Sequence, residues 1–176
     1  MVERCDARVE STGTGSSVRD DDAVRADRPV MPGYGILDAD EGTGLLPWEW
    51  AQTRLAAAPT WWVSTMGSGR PPTAPVWGVW ADERGWFSTG PKSRKARNLA
   101  VTPVCTIAVE YDGGHVIVEG SVAREPMAPT LDERYRTKYA WDGPVDEIFY
   151  AVAPTVVFGM INTPGQFVGS ATAWRP

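Results

Sequence analysis

The sequence is short of the residues that build covalent or metal-held scaffolds. Two cysteines, Cys5 and Cys105, and a single histidine, His115, stand in 176 residues. That excludes a disulfide framework and a zinc site built from Cys and His ligands. No apolar run approaches the ~20 residues that span a bilayer, and residues 1–28 are too polar for a secretory signal. Positive charge is also scarce: 17 Lys and Arg face 22 Asp and Glu, a net charge of -5 at pH 7. The basic face of a general nucleic-acid binder is therefore not expected. These absences imply a soluble, reduced, cytoplasmic protein with no structural metal, no membrane and no nucleic-acid partner.

What is present suits one domain of ordinary size. The chain is 43% hydrophobic and 22% charged, enough apolar material for a single core. Nine tryptophans are included, most of them between Trp48 and Trp86. Arginine far outnumbers lysine and Ala, Gly, Val and Pro are abundant, the bias of a high-GC genome.

The first 40 residues differ from the rest. A Ser/Thr/Gly run at 11–17 and the acidic run Asp20–Asp22 come with almost no large apolar side chain. Such a segment cannot bury enough surface to offset its ordering entropy, so residues 1–40 are expected to be a disordered tail and 41–176 the folded domain. The stretch from Pro32 to Gly35 is where docking would begin.

Beyond Leu46, Trp48, Ala51, Leu55 and Ala58 recur at helical spacing after Pro47. Strands follow. Residues 60–66 are β-branched and aromatic, 73–80 return past a Gly-rich turn with Pro75 marking an edge or bulge, and 86–89 follow a turn at 82–85. The runs 104–111 and 115–124 flank Asp112-Gly113-Gly114, a strong hairpin signal, and 156–161 supply a sixth strand. Helices are expected at 93–101 and 129–139, the latter with Leu131, Tyr135 and Tyr139 on one face. The fold class is mainly β: a small barrel of about six antiparallel strands with two or three short helices, since closure removes exposed edges.

The segment that carries chemistry is Phe87-Ser-Thr-Gly-Pro-Lys-Ser-Arg-Lys-Ala-Arg-Asn-Leu99. A strand ends at Ser88 and Thr89, the chain turns at Gly90-Pro91, and a helix opens with Ser93 as N-cap. Lys92, Arg94 and Lys95 crowd that helix start, although the partial positive charge there disfavours cations by some ~0.3–1 kcal/mol each. Three cations, free backbone N–H groups and short hydroxyls make a cradle for an anion such as a phosphate. The competing reading is that all three side chains simply face water. Asn98 lies further along and serves either a cap or a ligand.

The run from Asp82 to Lys95 resembles the phosphate-binding segment of the pyridoxamine 5′-phosphate oxidase-like proteins, the split β-barrel flavin-binding family. Gly69-Arg-Pro71, Ala74-Pro-Val-Trp-Gly-Val-Trp80, Lys95-Ala-Arg-Asn-Leu99 and Val118-Glu-Gly120 are similar to the actinobacterial branch, many of whose members use the deazaflavin F420 in place of FMN. The resemblance covers about residues 46–174. It implies that Ser93, Arg94 and Lys95 hold a cofactor phosphate with Ser88 and Thr89 beside them. It also implies that the backbone of Pro75, Val76 and Trp77 lies along the cofactor ring. A homodimer with the cofactor at its interface is implied too, with Trp174 and Arg175 reaching the partner's site.

Departures from the family narrow the reading. The strand 74–79 and the segment 125–130 lack the basic residues that would hold a vitamin B6 phosphate. Trp61, Trp62, Trp77 and Trp80 instead imply a broad aromatic pocket for a flat, uncharged molecule. The expected function is hydride transfer from reduced F420 to a small aromatic or polycyclic acceptor. An FMN-dependent oxidase or reductase and a non-catalytic flavin carrier are the alternatives. No residue stands out as proton donor: His115 reads as structural, Tyr111 is an equally weak candidate, and Cys105 reads as buried filler.

Overall fold

A computed structural model describes residues 24–67, 69–143 and 148–176. Nine antiparallel strands and four helices follow in the order β1 (Arg25–Asp27), α1 (Trp48–Ala57), β2 (Trp61–Thr65), β3 (Thr73–Val76), β4 (Gly78–Ala81), β5 (Arg84–Phe87), α2 (Arg94–Val101), β6 (Val104–Tyr111), β7 (Gly114–Pro126), α3 (Pro129–Tyr139), β8 (Ile148–Ile161), α4 (Phe167–Ser170) and β9 (Thr172–Arg175). The mainly β barrel expected from the sequence is present. The added strands are β1, β9 and the division of 73–80 into β3 and β4.

Local chemistry accounts for the central hairpin. Asp112 and Gly113 both adopt positive φ, 48° and 66°, the two-residue turn that matches strand twist. Inward residues of β6 and β7 alternate cleanly: Cys105, Ile107 and Val109 face Val116 and Val118 in the core. Arg54 of α1 stacks on Trp50 at 3.8 Å and donates to the Asp112 carbonyl at 3.0 Å, tying the helix to this turn.

Closure depends on two strands that change partners. β8 pairs with β7 along its whole length. Its other edge pairs with β5 at Tyr150–Val152 and with β9 at Val157–Gly159. Pro154 sits between those two stretches, where no neighbour needs its missing N–H, and beside a bulge facing Glu119 and Gly120. The second strand is broken at Trp77: β3 pairs with β2, whereas β4 pairs with β5. The ring β2–β3/β4–β5–β8–β7–β6 is thus continuous in hydrogen bonds except at that break.

Gly78 follows the break because nothing larger fits. An added Cβ would enter the ring of Trp61, which is fully buried and held by an indole N–H bond to the Leu55 carbonyl at 3.2 Å. Gly78→Ala is expected to lower unfolding free energy by about 1–3 kcal/mol, the cost of overpacking. A urea midpoint equal to wild type would contradict this packing.

The described part of the segment 24–40 does not behave as a free tail. β1 pairs with β9, and the Arg28 guanidinium donates to five backbone carbonyls, those of Asp38, Glu41, Gly44, Gly169 and Ala171, at 2.8–3.4 Å. Tyr34 packs against Phe167 at 6.2 Å. Composition understates this docking because a single arginine supplies most of the bonds. Residues 1–23, assigned to the same tail, lie outside the described residues.

Candidate functional site

The α2 start is built from its own sequence. Ser93 holds an extended backbone (φ -65°, ψ 159°), and its Oγ accepts from the Ala96 N–H at 3.1 Å. Thr89 also donates its hydroxyl to Ser93 Oγ, at 3.0 Å, so the hydroxyl proton of Ser93 remains to be donated elsewhere. Ala96 and Leu99 anchor the helix in the core. Asn98 donates to Thr65 Oγ1 at 2.9 Å, which docks α2 on β2 and decides its role as structural.

Among the described residues, the cations at this helix start have no acidic counterpart. The first turn of α2 holds no acidic residue. Among the described residues, the ion pairs are Arg54–Asp112, Arg84–Glu125 and Arg136–Asp132, and none involves Lys92, Arg94 or Lys95. Arg97, by contrast, is engaged with the Lys92 carbonyl. Arg94 is exposed and Lys95 half-buried.

The strand break brings the other half of the site alongside. The last β4–β5 pair is Gly78 with Phe87. Continuing that register sets Trp77 opposite Ser88 and Val76 opposite Thr89, at the point where the two chains part. One goes to β2 and the other to α2. β3 ends the sheet path, so the edge of Pro75 and Val76 away from β2 is free for a ligand. Among the described residues, the unpaired edge of β3 thus lies near the point where the chain leaves β5 for α2.

Other expected site residues lie elsewhere. Trp174 is 1% exposed, packs on Trp48 and Trp50 at 5.7 and 6.5 Å, and donates its indole N–H to the Leu46 carbonyl at 3.1 Å. Its side chain is packed in the core of its own chain. The four-tryptophan pocket is not formed either. Trp61 and Trp80 are buried in the barrel, Trp62 lies on the outer sheet face, and Trp77 sits at the break between β3 and β4.

Sequence reasoning missed what holds the break. Tyr139 of α3 accepts from the Gly78 N–H at 2.7 Å and donates to the Gly78 carbonyl at 2.9 Å. Lys138 donates to the same carbonyl at 2.8 Å. The shared face of Tyr135 and Tyr139 was the available signal. Burial lowers the Lys138 amine to about 8. Burial also raises Tyr139 to about 12; the Gly78 bond opposes that shift and Tyr135 adds to it.

A pH dependence follows. An amine whose pKa is lower folded than unfolded costs stability while charged, and the cost disappears as pH rises from about 8 towards the ordinary 10.5. Tyr139 and the buried Cys105 thiol, also raised to about 12, act in the opposite sense above their ordinary values. Comparing wild type with Lys138→Met cancels most of those contributions. The stability of the Met variant relative to wild type is expected to fall between pH 8 and 10.5 in chemical denaturation. A difference independent of pH would show that the amine is not desolvated.

A groove of ≈ 450 Å³ lies on the outer sheet face, lined from β2, β6, β7 and β8, among them Met66, Val104 and Val156. Neither it nor three smaller clefts is lined by Arg94 or Lys95. The cationic start of α2 opens on the surface of the single chain.

A split antiparallel barrel with a cationic helix start beside a strand break defines a class of flavin-binding fold. Residues 48–159 match the model of the pyridoxamine 5′-phosphate oxidase family, and the chain belongs to that family. Solved structures share the fold. A protein described as an F420 reductase is 22% identical, with 64% of this chain and 98% of that one covered and a TM-score of 0.52. General stress protein 26 of Bacillus anthracis strain Sterne is 18% identical, with 63% and 91% covered and a TM-score of 0.53. A FAD-binding protein of Mesorhizobium loti is 12% identical, with 87% and 99% covered and a TM-score of 0.50. No curated protein matches the chain in sequence. Among the described residues, no helix is long and apolar enough to cross a membrane.

Proposed function

We propose that this protein is an F420-dependent reductase that passes a hydride to a small aromatic or polycyclic acceptor. The observation that carries the reading is the start of α2, on the chain that leaves β5 beside the break between β3 and β4, where Arg94 and Lys95 have no carboxylate partner among the described residues. These residues fit a phosphorylated flavin or deazaflavin. Arg94 and Lys95 supply charge, the Ser93 hydroxyl and the α2 N–H groups supply donors, and Pro75, Val76 and Trp77 supply backbone along a ring.

Bound there, the cofactor supplies the hydride, and the protein supplies orientation and exclusion of water. The F420 reductase of the same fold and the blocks shared with the deazaflavin branch favour F420. The order Ser93-Arg94-Lys95 favours FMN, the second reading. The barrel strand carries no basic residue for a vitamin B6 phosphate.

A homodimer completes the site in this reading. Trp62, Met66 and Val104 are 50%, 57% and 42% exposed on one outer sheet face, a surface apolar enough to meet a second copy. The partner would also cover the α2 start.

Titration of the full chain with F420 and FMN side by side tests the proposal. F420 is expected to bind at least about tenfold more tightly, a difference of 1.4 kcal/mol. Tighter FMN binding would favour the second reading, and binding of neither would overturn both. Tight retention with no turnover of any acceptor would leave a carrier.

A further inference from the structure

Three tryptophans near the candidate site are exposed, Trp62, Trp77 and Trp141, and the first two are held very differently. Trp62 stands at 50% exposure on the flat outer face of β2. Trp77 is 42% exposed yet buttressed on several sides. Its indole lies nearly parallel to the Tyr139 ring, 4.7 Å away at 9°. Trp141 meets it edge-on at 5.5 Å and 71°, and Tyr135 lies tilted at 6.0 Å. The peptide after it is clamped as well, since the Gly78 N–H and carbonyl are held by Tyr139 and the carbonyl again by Lys138. Tyr139 covers one face of the indole, and Trp77 is nevertheless left 42% exposed.

An exposed aromatic ring is normally mobile, and stacking on it costs the entropy of fixing it. Here α3 fixes it in advance. A rigid aromatic with one free face prefers a second flat ring in an offset stack. Ordinary core packing does not require such an arrangement, because the buttressed side chain is left partly in water.

We propose that the free face of Trp77 is the stacking subsite of the electron acceptor, and that Tyr139 and Trp141 are positioning residues selecting planar aromatic acceptors. The placement beside the cofactor rests on the proposed function; the stacking face itself rests on α3. Lys138 sits behind the clamp, directed at the Gly78 carbonyl and the Trp61 ring at 5.4 Å.

The test uses equilibrium dialysis of the full chain, with and without bound cofactor, against menadione as planar probe and 2-cyclohexenone as non-aromatic probe. Tyr139→Phe keeps the ring and removes the backbone clamp, while Trp141→Leu keeps the clamp and removes the edge contact. Each is expected to weaken menadione binding about tenfold with 2-cyclohexenone affinity within about twofold of wild type, and Trp141→Leu is expected to leave cofactor affinity within about twofold as well. A purely structural role would weaken all three together, and that result overturns the proposal. Menadione affinity unchanged in both variants, or absent in wild type, overturns it too. Should Tyr139→Phe fail to fold, Trp141→Leu carries the test alone. If wild type binds neither F420 nor FMN but the variants still lose menadione selectively, the cofactor reading fails and the stacking site stands. If cofactor binds and menadione is indifferent to both substitutions, only the stacking site fails.

Discussion

Replacing Trp174 by Ala is expected to lower unfolding free energy by about 3–5 kcal/mol, the cost of removing a buried large aromatic. Trp174 lies at 1% exposure between Trp48 and Trp50, and its loss opens a cavity where α1 meets β8 and β9. The Leu46 carbonyl also loses its indole donor, leaving a buried acceptor unsatisfied. Gly159 lacks a Cβ because the Trp174 ring fills that space, so no neighbouring side chain can readily refill the hole. Denaturant titration measures the loss. At temperatures where the variant remains folded, cofactor affinity is expected within about twofold of wild type. A large loss of affinity in a fully folded variant would return this residue to the site.

Lys95→Ala is expected to weaken cofactor binding by about 1.5–3 kcal/mol, the value of a charge-assisted hydrogen bond. That corresponds to a rise in Kd of roughly 10- to 150-fold. The size of the effect follows from the absence of any carboxylate partner for Lys95 among the described residues. Its charge is not already neutralised, and it is half-buried beside the Ser93 cap. Arg97→Ala serves as the control, because that guanidinium is already engaged with the Lys92 carbonyl. Isothermal titration in low and high salt checks both, and the Lys95 effect shrinks as salt screens it. An unchanged Kd would remove the phosphate assignment.

Features set by neighbouring residues were legible in the sequence. The β6–β7 hairpin follows from alternation around Asp112-Gly113, α3 follows from Pro129 and the Leu131/Tyr135/Tyr139 face, and the α2 start follows from Ser93. Features set by distant partners were not. Pro75 marks the strand 73–80 as an edge or bulge, but the break at Trp77 is not placed by the sequence, because its causes are Trp61 beneath Gly78 and a hydroxyl from α3. The first half of β8 was obscured by Pro154, which reads as a stop until β5 and β9 are seen to leave it unpaired. The resemblance implies that Trp174 reaches a partner's site, and its packing is not legible locally because the tryptophans that bury it, Trp48 and Trp50, lie more than a hundred positions earlier. The hydroxyl and cation cluster of the candidate site was visible in order of sequence. The strand edge near it depends on register, which composition does not encode.

Arg28 reaches its five acceptors through main-chain oxygens alone. Every residue offers that same carbonyl oxygen whatever its side chain. The latch between the arm and the α4 corner therefore asks for one particular side chain, the arginine, and for none in particular at the five positions that receive it.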